Sequence, residues 1–330
     1  MNDRELQACK TARTLSSMAA LTAVIVTLIL SRVLDVQSMH WQVAIATVAL
    51  AAGIPHGALD HLVARPIGNG STMTGFVVRY VLTAIVALVA ILLFNVIGFV
   101  FVLVMSAVHF GTGDAAFIAE INKRSAASTK HRALLYAVPA GLLPIVVPLT
   151  KSTSENALNE INANIVRWHA GFDGALLIAT AVISLAAFIA LLATKRYRDA
   201  IDIVLLALLG IVAPPLIAFA VYFGCWHAVR HTARLTLVLP SSQRAFSRGS
   251  TKGAFWLAVA PGLPALVGAL VAAVAIGAVT DFEGDSLLWT MLAIVWALTV
   301  PHMAATARLD RGALANNELR GWGSNPRPTD

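Results

Sequence analysis

Long apolar runs separated by short polar segments recur from one end of the chain to the other. Several of these runs reach the roughly 18–20 residues that a helix needs to cross the hydrocarbon core of a bilayer. The pattern predicts an all-α protein, a polytopic bundle of about ten transmembrane helices, with eight to ten compatible with the pattern. The predicted spans are residues 15–34, 40–64, 76–94, 97–119, 131–150, 172–194, 198–213, 215–238, 254–279 and 286–308.

Two of the longest apolar runs are divided in this prediction. Residues 76–119 as one helix would measure about 66 Å at 1.5 Å per residue, roughly twice the thickness of the hydrocarbon core. Asn95 and Gly98 mark the predicted turn within this run. The run 198–238 is divided at Pro214 and Pro215, because neither proline has a backbone N–H to continue a helix.

Basic residues lie mostly in alternate connections between the predicted spans. Lys123, Arg124, Lys130 and Arg132 separate spans four and five, whereas the connection "TDFEGD" (280–285) has no basic residue. By the positive-inside rule, both termini are cytoplasmic and the protein is a multi-pass protein of the cell's inner membrane. We expect a cytoplasmic N-terminus over 1–14, one transmembrane catalytic domain over 15–310 and a mobile cytoplasmic tail over 311–330.

Composition supports the membrane class and argues against two others. Hydrophobic residues make up 58% of the chain and charged residues 12%, whereas soluble domains average about 25% charged residues. The net charge of +7 is scattered over connections without interleaved aromatic residues, so no nucleic-acid partner is expected. The two cysteines lie in a polar terminus and in an apolar run, which predicts no structural disulfide.

Six of the nine histidines fall within predicted spans that all run from outside to inside: His56, His61, His109, His227, His231 and His302. A single histidine in an apolar helix is usually a hydrogen-bonded structural residue. Here spans two, four, eight and ten each present a histidine at a similar depth, within about 6 Å by residue counting. Ionisable residues inside a membrane usually face the bundle interior and mark function. The pattern therefore predicts one shared site.

The histidine spacing favours a metal site. His227 and His231 are separated by four residues, which places them on one helix face about 6 Å apart. An all-imidazole ligand set suits Fe, Cu or Zn better than Mg or Ca. Asp60 is positioned to accept the second ring N–H of His56, and the layer of residues supporting the ligands is predicted to include Asp60, His61 and Asp114.

Four segments around these histidines resemble the Brp/Blh family of bacterial and archaeal β-carotene 15,15′-dioxygenases. The segments are "GIPHGALDH", "HFGTGD", "FGCWHAVRH" and "PHMAATARLD", in this order between residues 53 and 310. The resemblance implies an integral membrane enzyme that uses Fe²⁺ and O2 to split the central double bond of β-carotene into two all-trans-retinal molecules. It assigns His56, His109, His227 and His231 as iron ligands. His302 is expected beside them, in the supporting layer or on the substrate side.

The implied substrate is a rigid hydrocarbon nearly as long as the bilayer is thick, so we expect β-carotene to enter from the lipid phase through an apolar tunnel. Phe110, Tyr222, Phe223 and Trp226 are the candidates for its wall, and Tyr222 is also placed to hydrogen-bond a bound oxygen species. A retinal-binding rhodopsin would be a natural acceptor of the product.

Three other functions are compatible with parts of the pattern. A diiron desaturase or hydroxylase would need about eight histidines in several clusters, and only one pair here has that spacing. A haem-binding electron carrier would use two histidines on facing helices and leave the others unexplained. A transporter would use the histidines as a proton relay, and it shares the break at Pro214 and Pro215 with transporter helices.

Overall fold

The computed structural model describes residues 3–35, 38–63, 72–122, 130–279 and 284–315, and these ranges contain helices and no strand. The helices are α1 (Asp3–Leu30), α2 (Met39–Gly57), α3 (Asp60–Val63), α4 (Met73–Leu93), α5 (Asn95–Asn122), α6 (Lys130–Leu149), α7 (Thr153–Ile161), α8 (Asp173–Ala193), α9 (Tyr197–Val212), α10 (Pro215–Val221), α11 (Ala228–Val238), α12 (Pro240–Ser247), α13 (Thr251–Val259), α14 (Leu263–Val279) and α15 (Gly284–Leu314). A π-helical segment, Tyr222–His227, joins α10 to α11. The predicted fold class, an all-helical polytopic bundle, is confirmed.

Each of the ten predicted spans lies on helical structure, but fewer helices are long and apolar enough to cross a membrane alone. Seven in the described ranges meet that requirement, and eight do if the bent pair α6–α7 is one span. The two further predicted spans fall short for identifiable reasons. Helix α9 has only 16 residues. The span 215–238 is divided among α10, the π segment and α11, and its last part carries Arg230 and Arg234.

The predicted breaks are present close to the expected positions. Helix α4 ends at Leu93 and α5 begins at Asn95, so the chain turns at Phe94. Gly98 is not part of this turn; it lies inside α5, where its Cα faces Ile91 of α4. Helix α9 ends at Val212 and α10 begins at Pro215, as the two prolines predict.

Helical structure extends into both predicted terminal segments where the structure describes them. Helix α1 begins at Asp3, so most of the segment 1–14 is the first half of a long helix. Arg13 in this half is buried and pairs with Asp199 and Asp202 of α9. Helix α15 continues to Leu314, and most of the tail predicted to be mobile (316–330) lies outside the described residues.

Close helix packing brings the five histidine-bearing elements around one interior. The segment 215–227 packs on α2, α15 packs on α4 and α5, and α11 contacts both α2 and α5. Gly53 of α2 and Gly224 of the π segment face each other, and a Cβ on Gly224 would collide with the carbonyl group of Ala49. The absence of side chains at these two positions lets the backbones touch, which positions the site described next.

Candidate metal centre

Five histidines, each from a different element, meet in the interior of the bundle. His56 belongs to α2, His109 to α5, His227 to the π segment, His231 to α11 and His302 to α15. Each side chain is buried, with at most 6% of its residue surface exposed. Neighbouring ring centroids lie 4.9–6.0 Å apart, and His227 and His231 stack at 6.0 Å as their spacing predicts.

The Nε2 atoms of all five histidines are buried and have no hydrogen-bond partner within the described part of the chain. Leaving a buried polar atom unpaired costs about 1–3 kcal/mol, so five such atoms in one cluster indicate a missing common partner. Imidazoles that share one ion, with metal–nitrogen distances of about 2.1 Å, hold their ring centres about 5 Å apart. The shortest observed ring separation, 4.9 Å, equals this value and the longest is 6.0 Å, so the five imidazoles fit a metal ion.

The five histidine side chains are nevertheless not yet arranged as they would be around a bound ion. Among the described residues, no group of three or more His, Cys, Asp or Glu side chains is already arranged to hold a metal. Most neighbouring rings meet edge to face, as aromatic rings do when they pack on each other. Rotations of these side chains about χ1 and χ2 would be needed to direct the Nε2 atoms to one point.

His302 has the surroundings of a metal ligand, although the sequence pattern placed it in the supporting layer. Its Nδ1 lies 2.8 Å and 3.0 Å from the two carboxylate oxygens of Asp60 and donates to them, which leaves Nε2 as the lone-pair nitrogen. Metal-binding histidines commonly donate their second ring nitrogen to a carboxylate in this way. Tyr80 donates to the same carboxylate at 2.9 Å and fixes its orientation.

Asp60 was expected to support His56 and instead supports His302. His56 Nδ1 donates to the carbonyl oxygen of Gly53 in its own helix, so it does not need the carboxylate. The regular helix α2 ends at Gly57, and Asp60 lies in the next short helix, α3, where its carboxylate bonds His302. The i,i+4 spacing of His56 and Asp60 predicted a contact between them, but this spacing brings two side chains together only within one regular helix.

His61, predicted for the supporting layer, lies outside the site. It is exposed, and its Nδ1 contacts the carbonyl oxygen of Ala58 at 3.1 Å. Neighbouring helical residues project about 100° apart, so the buried position of Asp60 leaves the next residue facing outward. His40 is also exposed, as expected for a residue at a span end.

Asp114 lies in the supporting layer, beside His227. Its Oδ1 is 3.8 Å from His227 Nδ1, too far for a hydrogen bond, and its Oδ2 accepts from Trp226 Nε1 at 2.6 Å. Gly113, one residue earlier, leaves the room into which the His227 ring packs. The π segment ends at His227, and single π turns inside helices often mark functional sites.

Trp226, predicted to line the substrate tunnel, faces a charged network instead. Its ring lies under the guanidinium of Arg230, 3.7 Å from Cζ to the ring centroid. A buried indole N–H needs an acceptor, and Asp114 supplies it on this side of the helix. Arg230 also forms an ion pair with Asp202 of α9, with 3.1 Å between its Nη2 and the carboxylate Oδ2.

The other three aromatic candidates do lie against the histidines. Phe110 contacts the His227 ring at 4.8 Å, and Phe223 contacts the His56 ring at 5.3 Å. Tyr222 packs edge to face on Phe110 at 5.0 Å, and its buried hydroxyl has no hydrogen-bond partner in the described structure. The role of this hydroxyl toward an oxygen species stays a prediction.

The sequence interpretation missed two buried arginines one turn apart on the histidine helix. Arg230 and Arg234 are each 1% exposed. Arg234 bonds Glu120 of α5 at 3.1 Å and Asp310 of α15, and so ties together three elements of the site. Their signal was present in the sequence, because an arginine within a predicted span needs a buried acidic partner.

The fold and the site together define an all-helical membrane protein with a buried polyhistidine centre. Over residues 46–310, which include all five histidines, the chain matches the family described as Beta-carotene 15,15′-dioxygenase, and it belongs to this family. It is 29% identical over 300 residues to the "Probable beta-carotene 15,15′-dioxygenase Blh" of Halobacterium salinarum, covering 80% of this chain and 82% of that relative. No match was found among solved structures.

Proposed function

We propose that this protein is a non-haem iron dioxygenase that cleaves β-carotene at its central 15,15′ double bond. One O2 is consumed, and the two carbon atoms of the cut bond become the aldehyde carbons of two all-trans-retinal molecules. The observation that carries the proposal is the set of five buried, unpartnered Nε2 atoms inside the segment that matches the family. Imidazole donors without a thiolate are compatible with ferrous iron.

His56, His109, His227 and His231 are the proposed ligands, and His302 is equally placed to be one. Bound iron would supply the activation of O2 that no amino-acid side chain provides. The residues of the chain hold and orient it: Asp60 and Tyr80 fix the ring of His302, and the wall formed by Phe110 and Phe223 keeps water from the histidines.

The substrate and the place of reaction follow from the same surroundings. β-Carotene would enter from the lipid phase, because the surface of helices such as α4 and α8 is apolar and aromatic rings pack against the buried histidines. The proposed location is the cell's inner membrane, with both termini in the cytoplasm. A retinal-binding rhodopsin is the proposed acceptor of the product.

The geometry disfavours the alternative functions. Five rings within 6.0 Å of their neighbours leave no slot for a porphyrin between two histidines. A diiron site would need more imidazoles than these five. A proton relay would pass protons along hydrogen bonds, whereas these five buried Nε2 atoms have no hydrogen-bond partner in the described part of the chain.

Expression in a bacterium that accumulates β-carotene tests the proposal. We expect bleaching of the cells and retinal in chromatographed extracts, and neither for His227→Ala. Purified protein should contain close to one iron per chain. Two irons would favour the diiron alternative, a Soret band would favour haem, and full colour without retinal would contradict the proposal.

A further inference from the structure

An almost entirely apolar cavity lies beside the histidine cluster. It has a volume of about 80 Å³ and is lined by residues of α5, α6, α7, α10 and α15. A single water requires about 10–15 Å³ on the same measure, so the cavity has room for a group of several heavy atoms. Ser106 supplies the one hydroxyl group of the lining. The cavity therefore fits a small hydrocarbon group and offers little to a polar one.

One layer of aromatic rings separates this cavity from the histidines. Phe219 belongs to the cavity wall and stacks on Phe223 at 6.1 Å with an interplanar angle of 13°. Phe223 contacts His56 at 5.3 Å. Phe219 also contacts Phe110 at 6.4 Å, and Phe110 contacts His227. A flat conjugated chain that passed between these rings would connect the cavity with the metal centre.

A fixed wall closes the far end of the cavity. Helix α7 leaves α6 at an angle of 86° and turns its buried residues Ala157, Leu158 and Ile161 toward the cavity. Lys151 holds the bend, because its Nζ donates to the carbonyl oxygens of Ile211 at 2.9 Å and Ala213 at 2.7 Å. The end wall is therefore anchored to the last turn of α9.

The distance from His109 to the far end of the cavity matches half the length of the proposed substrate. On α5, the lining extends from Ser106 to Phe99, which are three and ten residues before His109. Ten helical residues rise about 15 Å. A carotenoid about as long as the hydrocarbon core is thick, ~30 Å, extends ~15 Å on each side of its central double bond.

We propose that this cavity is the site for one end ring of the carotenoid, and that α7 stops the ring where the central double bond meets the histidines. The inference rests on the proposed function and deepens it by assigning the cavity's end wall as the determinant of which bond is cut. It also specifies the substrate class as a carotenoid whose ring in the cavity has no hydroxyl group. An unpaired hydroxyl there would lower binding by about tenfold or more.

Shortening the end wall tests the inference. In Leu158→Ala and Ile161→Ala, the ring can move deeper, so a neighbouring double bond reaches the histidines and two unequal aldehydes form from the same O2 stoichiometry. We expect the share of unequal aldehydes in the chromatographed products to rise several-fold over wild type. Leu185→Ala is the matched control, because Leu185 lies on α8 with 59% of its surface exposed. If Leu158→Ala does not accumulate, Leu158→Val makes a smaller change in the same direction.

Each outcome distinguishes this inference from the function on which it rests. Wild-type protein that makes no retinal would overturn the proposed function and the end-ring site together. Retinal as the sole product of both wall variants, at the kcat/KM of Leu185→Ala, would overturn the end-ring site alone. Equal kcat/KM of the wild-type protein for β-carotene and for a carotenoid hydroxylated on both rings would also overturn it.

Discussion

The Nε2 atoms of five histidines carry the function proposed for this protein. Each is buried and unpartnered in the described structure, and together they form one cluster in the interior of the bundle. Polar atoms in such surroundings are costly unless a partner offsets the loss of water. A single partner for all five explains why helices distant in the chain present the same side chain at one level.

Replacing a ligand should remove both iron and activity. We expect Ala at His56, His109, His227 or His231 to abolish iron binding and retinal formation, because each variant deletes one donor from the proposed set. Iron content by mass spectrometry and retinal by chromatography measure the two effects. His61→Ala is the matched control, since this exposed histidine lies outside the cluster. Full activity in three of the four variants would refute the metal assignment.

Asp60 acts through His302 and should be a positioning residue. We expect Asp60→Asn to weaken iron binding by about 10–100-fold without abolishing it, because the amide is a poorer acceptor for the imidazole N–H. Tyr80→Phe removes only one hydrogen bond to the same carboxylate and should have a smaller effect in the same direction. An iron titration of each variant gives the affinities. If Asp60→Asn bound iron as tightly as wild type, Asp60 would have no role in positioning His302.

At the scale of the element, backbone contact between α2 and the π segment sets the distance between His56 and His227. Gly224 packs on the carbonyl group of Ala49, and Gly53 packs on the ring of Phe223. The π turn at 222–227 then directs His227 toward the cluster. The two elements can hold their histidines at 5.8 Å only because neither glycine has a side chain.

Gly224→Ala should separate these elements. The added methyl group has no room, so we expect a loss of about 1–3 kcal/mol in stability and a fall in iron content. Gly268→Ala is the matched control, because Gly268 lies in α14 with open space around it and alanine is the better helix former. Thermal unfolding in detergent measures both variants. Equal unfolding temperatures would contradict the proposed close contact.

At the scale of the whole molecule, buried ion pairs connect the helices around the centre. Arg13 of α1 and Arg230 of α11 share Asp202 of α9, and Arg234 of α11 bonds Glu120 of α5 and Asp310 of α15. These networks hold helices from both halves of the chain. A buried pair adds little net stability, but loss of one partner leaves an uncompensated charge.

Arg234→Met should therefore destabilise the protein by about 3–5 kcal/mol, because Glu120 and Asp310 would remain buried without their cation. Neutralising both acids in the same variant, with Glu120→Gln and Asp310→Asn, should restore part of the loss. Arg244→Ala, on the exposed side of α12, should change stability by no more than about 0.5 kcal/mol. Unfolding by sodium dodecyl sulfate in mixed micelles gives these differences. No recovery in the triple variant would contradict the network.

The sequence alone determined the helical class, the breaks near Asn95 and Pro214, and the shared site of His56, His109, His227 and His231. These features depend on hydrophobic periodicity, on missing backbone donors and on depth along a helix, all of which are local and can be counted. The resemblance of four short motifs also indicated the family, and the match over residues 46–310 confirms it.

Tertiary structure decided which side chains support the site. Helix α2 ends at Gly57 and Asp60 lies in α3, where it bonds His302 while His61 is exposed, and the π segment directs Trp226 toward Arg230 and Asp114. Sequence spacing predicts neighbours only while a regular helix continues, because each irregular turn rotates every later residue about the helix axis. The partners of buried charges and the packing of facing glycines depend on contacts between distant segments, which no local pattern specifies.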